Sequence, residues 1–216
     1  MKTLFERFPL GALWANGYLF WAEENEKPAF FIDPGGDASE VLSFAKANGL
    51  DLRAVLLTHG HIDHIAGIED FVPIVGDNIY IAEGDAELLR HPPEAMMRAI
   101  GVECGGVEKF KTVADGDAIT IGPFSVKVIA TPGHTPGSVC YLIEENILVS
   151  GDTLFADSVG RTDLPGGDWG QLVESLKKLA ALPDDTEVFP GHGPMTTIGH
   201  ERGHNPFWPA GCGFMR

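Results

Sequence analysis

With 216 residues, 44% hydrophobic and 21% charged, the chain has the make-up of an ordinary soluble domain, which excludes disorder, collagen-like repeats and coiled coil. Its 15 basic and 31 acidic residues leave a net charge of −16 with no Lys/Arg cluster, so nucleic-acid binding is disfavoured. No apolar run reaches the ~18–20 residues of a membrane span, and Glu6 and Arg7 interrupt the N-terminal apolar residues, so a cytoplasmic protein with no membrane partner is expected.

In chain order, strands are expected over 2–8, 12–22 and 28–33, the last leading into the turn Pro34-Gly35-Gly36. A helix follows, with Asp37 and Glu40 as a capping box, Val41, Leu42, Phe44 and Ala45 as its apolar face and Asn48-Gly49 as its stop. Strands at 53–57 and 78–82, a helix near 83–90, and strands near 117–121, 124–130, 138–143 and 146–150 come next. A second clear helix spans 169–181, capped by Asp168 with Gln171, and a strand at 186–190 closes the regular part. Runs of strands broken by helices suggest a mixed sandwich with helices packed outside. Gly and Pro number 27 and 15, which makes the chain loop-rich, and no linker divides it, so one domain over 1–216 is expected. Cys104, Cys140 and Cys212 lack C-x-x-C spacing and read as reduced packing thiols.

The chemistry is concentrated in Thr58-His59-Gly60-His61-Ile62-Asp63-His64, directly after an apolar strand. In an extended loop His59 and His61 point the same way, while Asp63 and His64 turn toward a second point as a helix begins. His134, Asp152 and His192 each follow an apolar strand and a small-residue turn, so four strand ends deliver imidazole or carboxylate together. These seven N/O donors, with no thiolate, suit zinc, iron or manganese, and zinc is the expectation. They are too many for one tetrahedral ion and divide into three His on one metal and Asp63, His64 and His192 on another, with Asp152 between them. Two such ions hold a hydroxide near neutral pH and polarise a carbonyl or phosphoryl oxygen, which implies hydrolysis. Asp63 is assigned a double part, ligand and catalytic carboxylate orienting the attacking hydroxide. Part of the negative charge is then a metal site counted without its metal. His91 reads as a surface residue, whereas His200 and His204 could edge the pocket. Arg161, in the glycine-rich loop 158–167, either binds an anionic substrate group or holds the loop through Asp163.

In this order of motifs, H-x-H-x-D-H at 59–64 followed by His134, Asp152 and His192, the sequence resembles the metallo-β-lactamase superfamily. The resemblance implies an α+β fold, an αββα sandwich of two mixed β-sheets with helices on the outer faces. It also implies one ion on His59, His61 and His134 and a second on Asp63, His64 and His192, bridged by Asp152, with Asp33 in a supporting motif. Gly151-Asp152-Thr153-Leu154-Phe155, Gly160-Arg161-Thr162-Asp163, Glu201-Arg202 and Asn205-Pro206-Phe207 are similar to the short bacterial form of the glyoxalase II group, the hydroxyacylglutathione hydrolases. That likeness implies hydrolysis of a small S-acyl or S-lactoyl glutathione-type thioester. The separate C-terminal helical domain that holds glutathione in long forms is not expected here, and Arg161 and Asp163 stand where those forms carry lysine and tyrosine. The runner-up implied by resemblance is a persulfide dioxygenase with a single iron on His59, His134 and Asp152. A non-catalytic module stabilised by metal is disfavoured, because a structural zinc site is closed by four ligands.

Overall fold

The computed structural model describes residues 2–23 and 26–209. The chain opens with three antiparallel strands, β1 (Thr3–Leu10), β2 (Ala15–Ala22) and β3 (Pro28–Ile32). Three parallel strands, β4 (Asp51–Leu56), β5 (Ile79–Ala82) and β6 (Lys111–Val113), complete a sheet whose order follows the sequence. The second sheet contains β7 (Ala118–Ile121), β8 (Phe124–Ala130), β9 (Val139–Ile143) and β10 (Ile147–Gly151). A two-stranded hairpin, β11 (Leu154–Phe155) with β12 (Ser158–Val159), precedes β13 (Glu187–Pro190) and β14 (Thr196–Thr197). The second sheet has the order β14-β13-β10-β9-β8-β7. Because β9 is antiparallel to both neighbours and β13 is parallel to β10, strands β8, β10 and β13 run the same way.

Period-two alternation along these strands sorts side chains into three apolar layers. Tyr18, Phe20, Phe30, Ile32 and Leu56 meet Val126, Val128, Tyr141, Val149 and Phe189 between the sheets. The opposite faces are apolar as well, so helices cover them. Leu19, Phe31, Val55 and Leu57 pack under α1 (Ser39–Ala47) and α3 (Ile68–Val75). Leu142, Leu148 and Val188 pack under α6 (Trp169–Leu179) and α7 (Ile198–His204) through Leu172, Leu176, Leu179 and Ile198. Burying each of these large side chains contributes roughly 1.5–3 kcal/mol. The architecture is the expected αββα sandwich.

Several local expectations are corrected. The strand expected over 12–22 begins at Ala15, because residues 11–14 form the hairpin turn, with Gly11 and Trp14 at positive φ. Asp37 is not the cap of α1: Ala38 holds that position, and the Asp37 carboxylate instead accepts the Ser39 N–H at 2.8 Å. The helix expected near 83–90 is a 3₁₀ turn at Glu83–Asp85 followed by α4 (Ala86–Arg90). Strand β13 does not end the regular part, since β14 and α7 follow it. The short α3 and α5 (Glu94–Ile100) are not among the expected elements: α3 buries Ile68, Phe71 and Val75 along one face but runs for only eight residues with Pro73 inside it, and no α5 side chain is fully buried. The Asp168 cap on α6 is present, accepting the Gln171 N–H at 2.9 Å. Cys104 and Cys140 are buried and unpaired, and Cys212 lies outside the described residues.

Two cross-sheet clasps fix the edge where β4, β8, β10 and β13 end. The Val139 N–H donates to the Thr58 carbonyl (2.8 Å) and the Asn16 N–H to the Gly191 carbonyl (2.7 Å). The buried Tyr18 and Tyr141 hydroxyls donate to the carbonyls of Pro190 and Leu57, at 2.8 and 2.9 Å.

Candidate metal centre

All seven sequence-predicted donors gather at this edge. The loop after β4 carries His59 and His61, and α2 (Ile62–Ile65) begins immediately, so Asp63 and His64 project from its first turn. His134 arrives from the turn after β8, Asp152 from the end of β10 and His192 from the end of β13. Donor atoms of His59, His61 and His134 lie within 4.8 Å of one another, as do those of Asp63, His64 and His192. Asp152 stands between the groups: Oδ1 is 3.4 Å from His64 Nε2, and Oδ2 is 3.5 Å from His134 Nε2 and 3.6 Å from His192 Nε2. The Asp63 carboxylate is 3.3 Å from His192 Nε2 and 3.8 Å from His64 Nε2.

The surrounding hydrogen bonds select which ring nitrogen faces inward. The Asp33 carboxylate accepts from the Thr58 N–H (2.8 Å), the Thr58 hydroxyl (2.6 Å) and His64 Nδ1 (2.9 Å). Since the Thr58 hydroxyl has given its proton to Asp33, its oxygen accepts from His59 Nδ1 at 3.1 Å. His134 Nδ1 donates to the Arg161 carbonyl at 2.7 Å. Three rings are thereby locked in the tautomer that bares Nε2, the second layer of support that orients metal-ligating histidines. His61 Nδ1 sits 2.8 Å from His134 Nε2, so two ring nitrogens aim at one point.

This arrangement fits divalent cations. His59 Nε2, His64 Nε2 and Asp152 Oδ1 are buried without a hydrogen-bond partner, an omission that ordinarily costs about 1–3 kcal/mol per group. The electrostatics agree. Burial, then the neighbouring His64 and His134, hold His59 well below an ordinary imidazole, and burial with His134 brings His61 down to about 4. Burial opposes ionisation of Asp63 and Asp152, yet contacts with His192 and His64 outweigh it and hold both carboxyls below the usual range. His64 runs the other way: burial is overcome by Asp152 and Asp33, which hold the metal-free ring well above an ordinary imidazole, so a cation at Nε2 takes the place of a proton there.

Backbone features bring the donors this close. A Cβ at Gly191 would collide with Asp152 Oδ1 and stand 2.8 Å from the His64 ring, and Gly151 adopts φ +48° against Thr58. Asp33 itself sits at φ 56°, a left-handed conformation that Asp tolerates better than most residues and that its three donors hold in place. Sequence reasoning missed Asp85. Fully buried, it accepts the Gly60 N–H (2.8 Å), the Gly137 N–H (2.8 Å) and the Thr135 hydroxyl (2.7 Å), tying the first His loop to the turn after His134. No motif distinguishes Asp85 from the other acidic residues, and only the fold supplies its partners.

Five of the seven donors, His61, Asp63, His134, Asp152 and His192, line a cavity of about 530 Å³, with His59 and His64 buried behind them. Arg161 lines it too, with Nε and Nη2 donating to Asp163 at 2.7 and 2.8 Å. His91, His200 and His204 are not among the described residues lining this cavity. His200 instead pairs with Asp157 at 2.9 Å.

The family model of the metallo-beta-lactamase superfamily matches residues 12–192. The chain belongs to this superfamily. Hydroxyacylglutathione hydrolase GloC of Haemophilus influenzae is 35% identical over 209 residues, covering 94% of this chain and 96% of that protein. The crystal structure of BLEG-1 B3 metallo-beta-lactamase superposes with a TM-score of 0.86 at 38% identity, covering 95% of this chain and 99% of the other. That of TTHA1623 in a di-iron-bound form reaches 0.83 at 36% identity, covering 94% and 99%. As a superfamily member with this donor set, the chain is a metal-dependent hydrolase.

Proposed function

We propose that the chain hydrolyses S-acyl, glutathione-type thioesters, S-lactoylglutathione among them, with two divalent ions per molecule. One ion is assigned to His59, His61 and His134 and the other to Asp63, His64 and His192, with Asp152 shared. The observation that carries the reading is the gathering of seven donors around Asp152, five of them lining one cavity, with His59 Nε2, His64 Nε2 and Asp152 Oδ1 buried and unpartnered. The likeness to GloC supports the thioester. Zinc remains the expected metal, and the di-iron form of TTHA1623 keeps iron in view.

When bound, the ions supply an activated water and a Lewis acid for the carbonyl oxygen. The chain's own residues do the remainder. Asp63, held 3.3 Å from His192 Nε2, is placed to accept a hydrogen bond from the attacking water and fix its direction. Asp33, Thr58 and the Arg161 carbonyl keep the imidazoles oriented. A thiolate whose conjugate acid has a pKa near 8.5 leaves without a protonated side chain, so no separate general acid is required. Arg161 stands at the cavity wall, where its guanidinium can meet the thiol portion of the substrate.

The test joins elemental analysis of the purified protein with a thioester assay and an oxygen electrode. Two ions per chain, S-lactoylglutathione cleavage and loss of turnover on chelation are expected. One iron per chain with rapid oxygen uptake on glutathione persulfide and negligible thioester cleavage would replace this reading with the dioxygenase. Metal without turnover of either substrate would favour a binding module.

A further inference from the structure

The cavity above the donors is chemically lopsided. Leu13, Ile62, Met96, Ile100, Phe155 and Leu164 all line it. Among its described lining residues Arg161 is the lone Lys or Arg, and two hydrogen bonds with Asp163 already neutralise it. A wall of this kind offers a substrate dispersion contact and desolvation but almost no polar recognition.

The apolar side is also left open to water. Leu13, at the tip of the β1–β2 hairpin, is 49% exposed. Met96 and Ile100, on α5, are only partly buried, packed on one side against the core and lining the cavity on the other. Apolar side chains clustered around a reactive floor and incompletely covered by the protein's own core mark a surface that a ligand covers. Met96 adds an unbranched, polarisable side chain that adapts to different ligand shapes.

Resting on the thioester reading above, we propose that this wall is an acyl-chain subsite: the protein prefers thioesters carrying an unbranched apolar acyl group, and lactoyl is a poor fit. The lactoyl hydroxyl would face Leu13, Met96 and Ile100 without a hydrogen-bond partner. A butanoyl or hexanoyl chain buries methylenes there instead. The thiol peptide, which carries two carboxylates, one ammonium and two amides, lies toward Arg161 and solvent. A near-neutral Arg161–Asp163 pair on a chain of net charge −16 gives those carboxylates little attraction, so the acyl group dominates selection.

The test holds the thiol constant and varies the acyl group. S-acetyl-, S-butanoyl-, S-hexanoyl- and S-lactoylglutathione are compared with the metal-loaded full chain, alongside Leu13→Ser and Ile100→Trp. Metal stoichiometry and circular dichroism establish that each variant is folded. The expected kcat/KM rises about threefold to fourfold per added methylene up to hexanoyl, with S-lactoylglutathione no better than acetyl. Leu13→Ser flattens the dependence on chain length, and Ile100→Trp depresses hexanoyl turnover at least tenfold more than acetyl. A flat profile, or a preference for lactoyl in an enzyme that does cleave thioesters, overturns the subsite and leaves the hydrolase standing. Cleavage of none of the four by two-metal protein overturns the thioester reading and the subsite with it.

Discussion

Among the described residues, two regions bring histidine and carboxylate within ligating distance of each other, and only one has the marks of a metal centre. At the strand ends, His59 Nε2, His64 Nε2 and Asp152 Oδ1 are buried and have no partner. Around α7, Asp157, His200 and Glu201 also place donor atoms within 4.8 Å. Every carboxylate contact there is already made, however. Glu201, fully buried, accepts from the Asp157 N–H (2.9 Å), the Thr196 hydroxyl (2.6 Å) and the Asn205 amide (2.8 Å), while His200 donates to Asp157. The first cluster stores unsatisfied electrostatics that a cation resolves. The second is a finished clamp, holding the C-terminal helix to the β11–β12 hairpin. Proximity of donor types is common, and what separates a site from a strut is whether the protein has already used the donor atoms.

The contrast is broken most severely at Asp152. Asp152→Ala removes the carboxylate shared by both donor groups, so kcat should fall on the order of 10²–10³-fold or more, with elemental analysis showing fewer ions per chain. Retention of two ions and wild-type turnover would end the assignment. Asp63→Asn should reach a similar loss of kcat while circular dichroism stays native-like, because shape is kept and the charge is not.

Asp33→Ala acts one layer out. With the acceptor for His64 Nδ1 and the Thr58 hydroxyl gone, metal affinity or activity should fall about 10–100-fold, measurable by competition with a chromophoric chelator.

After chelation, acid should destabilise the first cluster. His61 titrates at about 4 in the folded protein against an ordinary 6.5, because burial and His134 penalise its charged form. The unfolded chain therefore binds a proton that the folded chain refuses, and stability is lost as pH falls from 6.5 toward 4, with His61 contributing about 3 kcal/mol and His59 adding to the loss in the same direction. His64, held well above the ordinary imidazole value, is protonated in both states across that window and does not offset the loss. A melting temperature of the chelated protein that rises between pH 6.5 and 4 would contradict this sign.

Asp85→Ala should cost about 2–3 kcal/mol by stranding two buried N–H groups and a hydroxyl. That corresponds to a fall of about 4–12 °C in Tm for a chain of this size. The smallest effect belongs to the finished clamp. His200→Ala breaks an ion pair that is partly exposed on both sides, so stability should move by no more than about 0.5 kcal/mol and the metal count should not change.

Much of the site was legible before any coordinates. Strand ends at 57, 130, 150 and 190 and the residues just past them fixed where the seven donors would emerge, since a period-two apolar run followed by a small-residue turn is a local signal. Short helices stayed hidden. In α3 a Pro73 inside the helix masks the regular stripe of Ile68, Phe71 and Val75, and α5 has no fully buried side chain, so its role as a cavity wall follows only from what packs beside it. Arg161 illustrates a different limit. Its sequence neighbour Asp163 suggested a loop-holding pair, and the structure shows that pair together with a second contribution, the Arg161 carbonyl accepting from His134, that no side-chain pattern encodes.

By itself, then, the sequence picked out the seven candidate donors and the sandwich that delivers them, because those depend on residue type and on periodicities the chain carries locally. The tertiary structure alone decided the tautomers, the orphaned atoms, the support from Asp33 and Asp85 and the apolar wall of the cavity. Most of these join residues tens of positions apart, as Asp33 does with Thr58 and His64, His134 with Arg161 and Asp85 with Thr135 and Gly137, and such a hydrogen bond exists only once the fold has brought its two ends together.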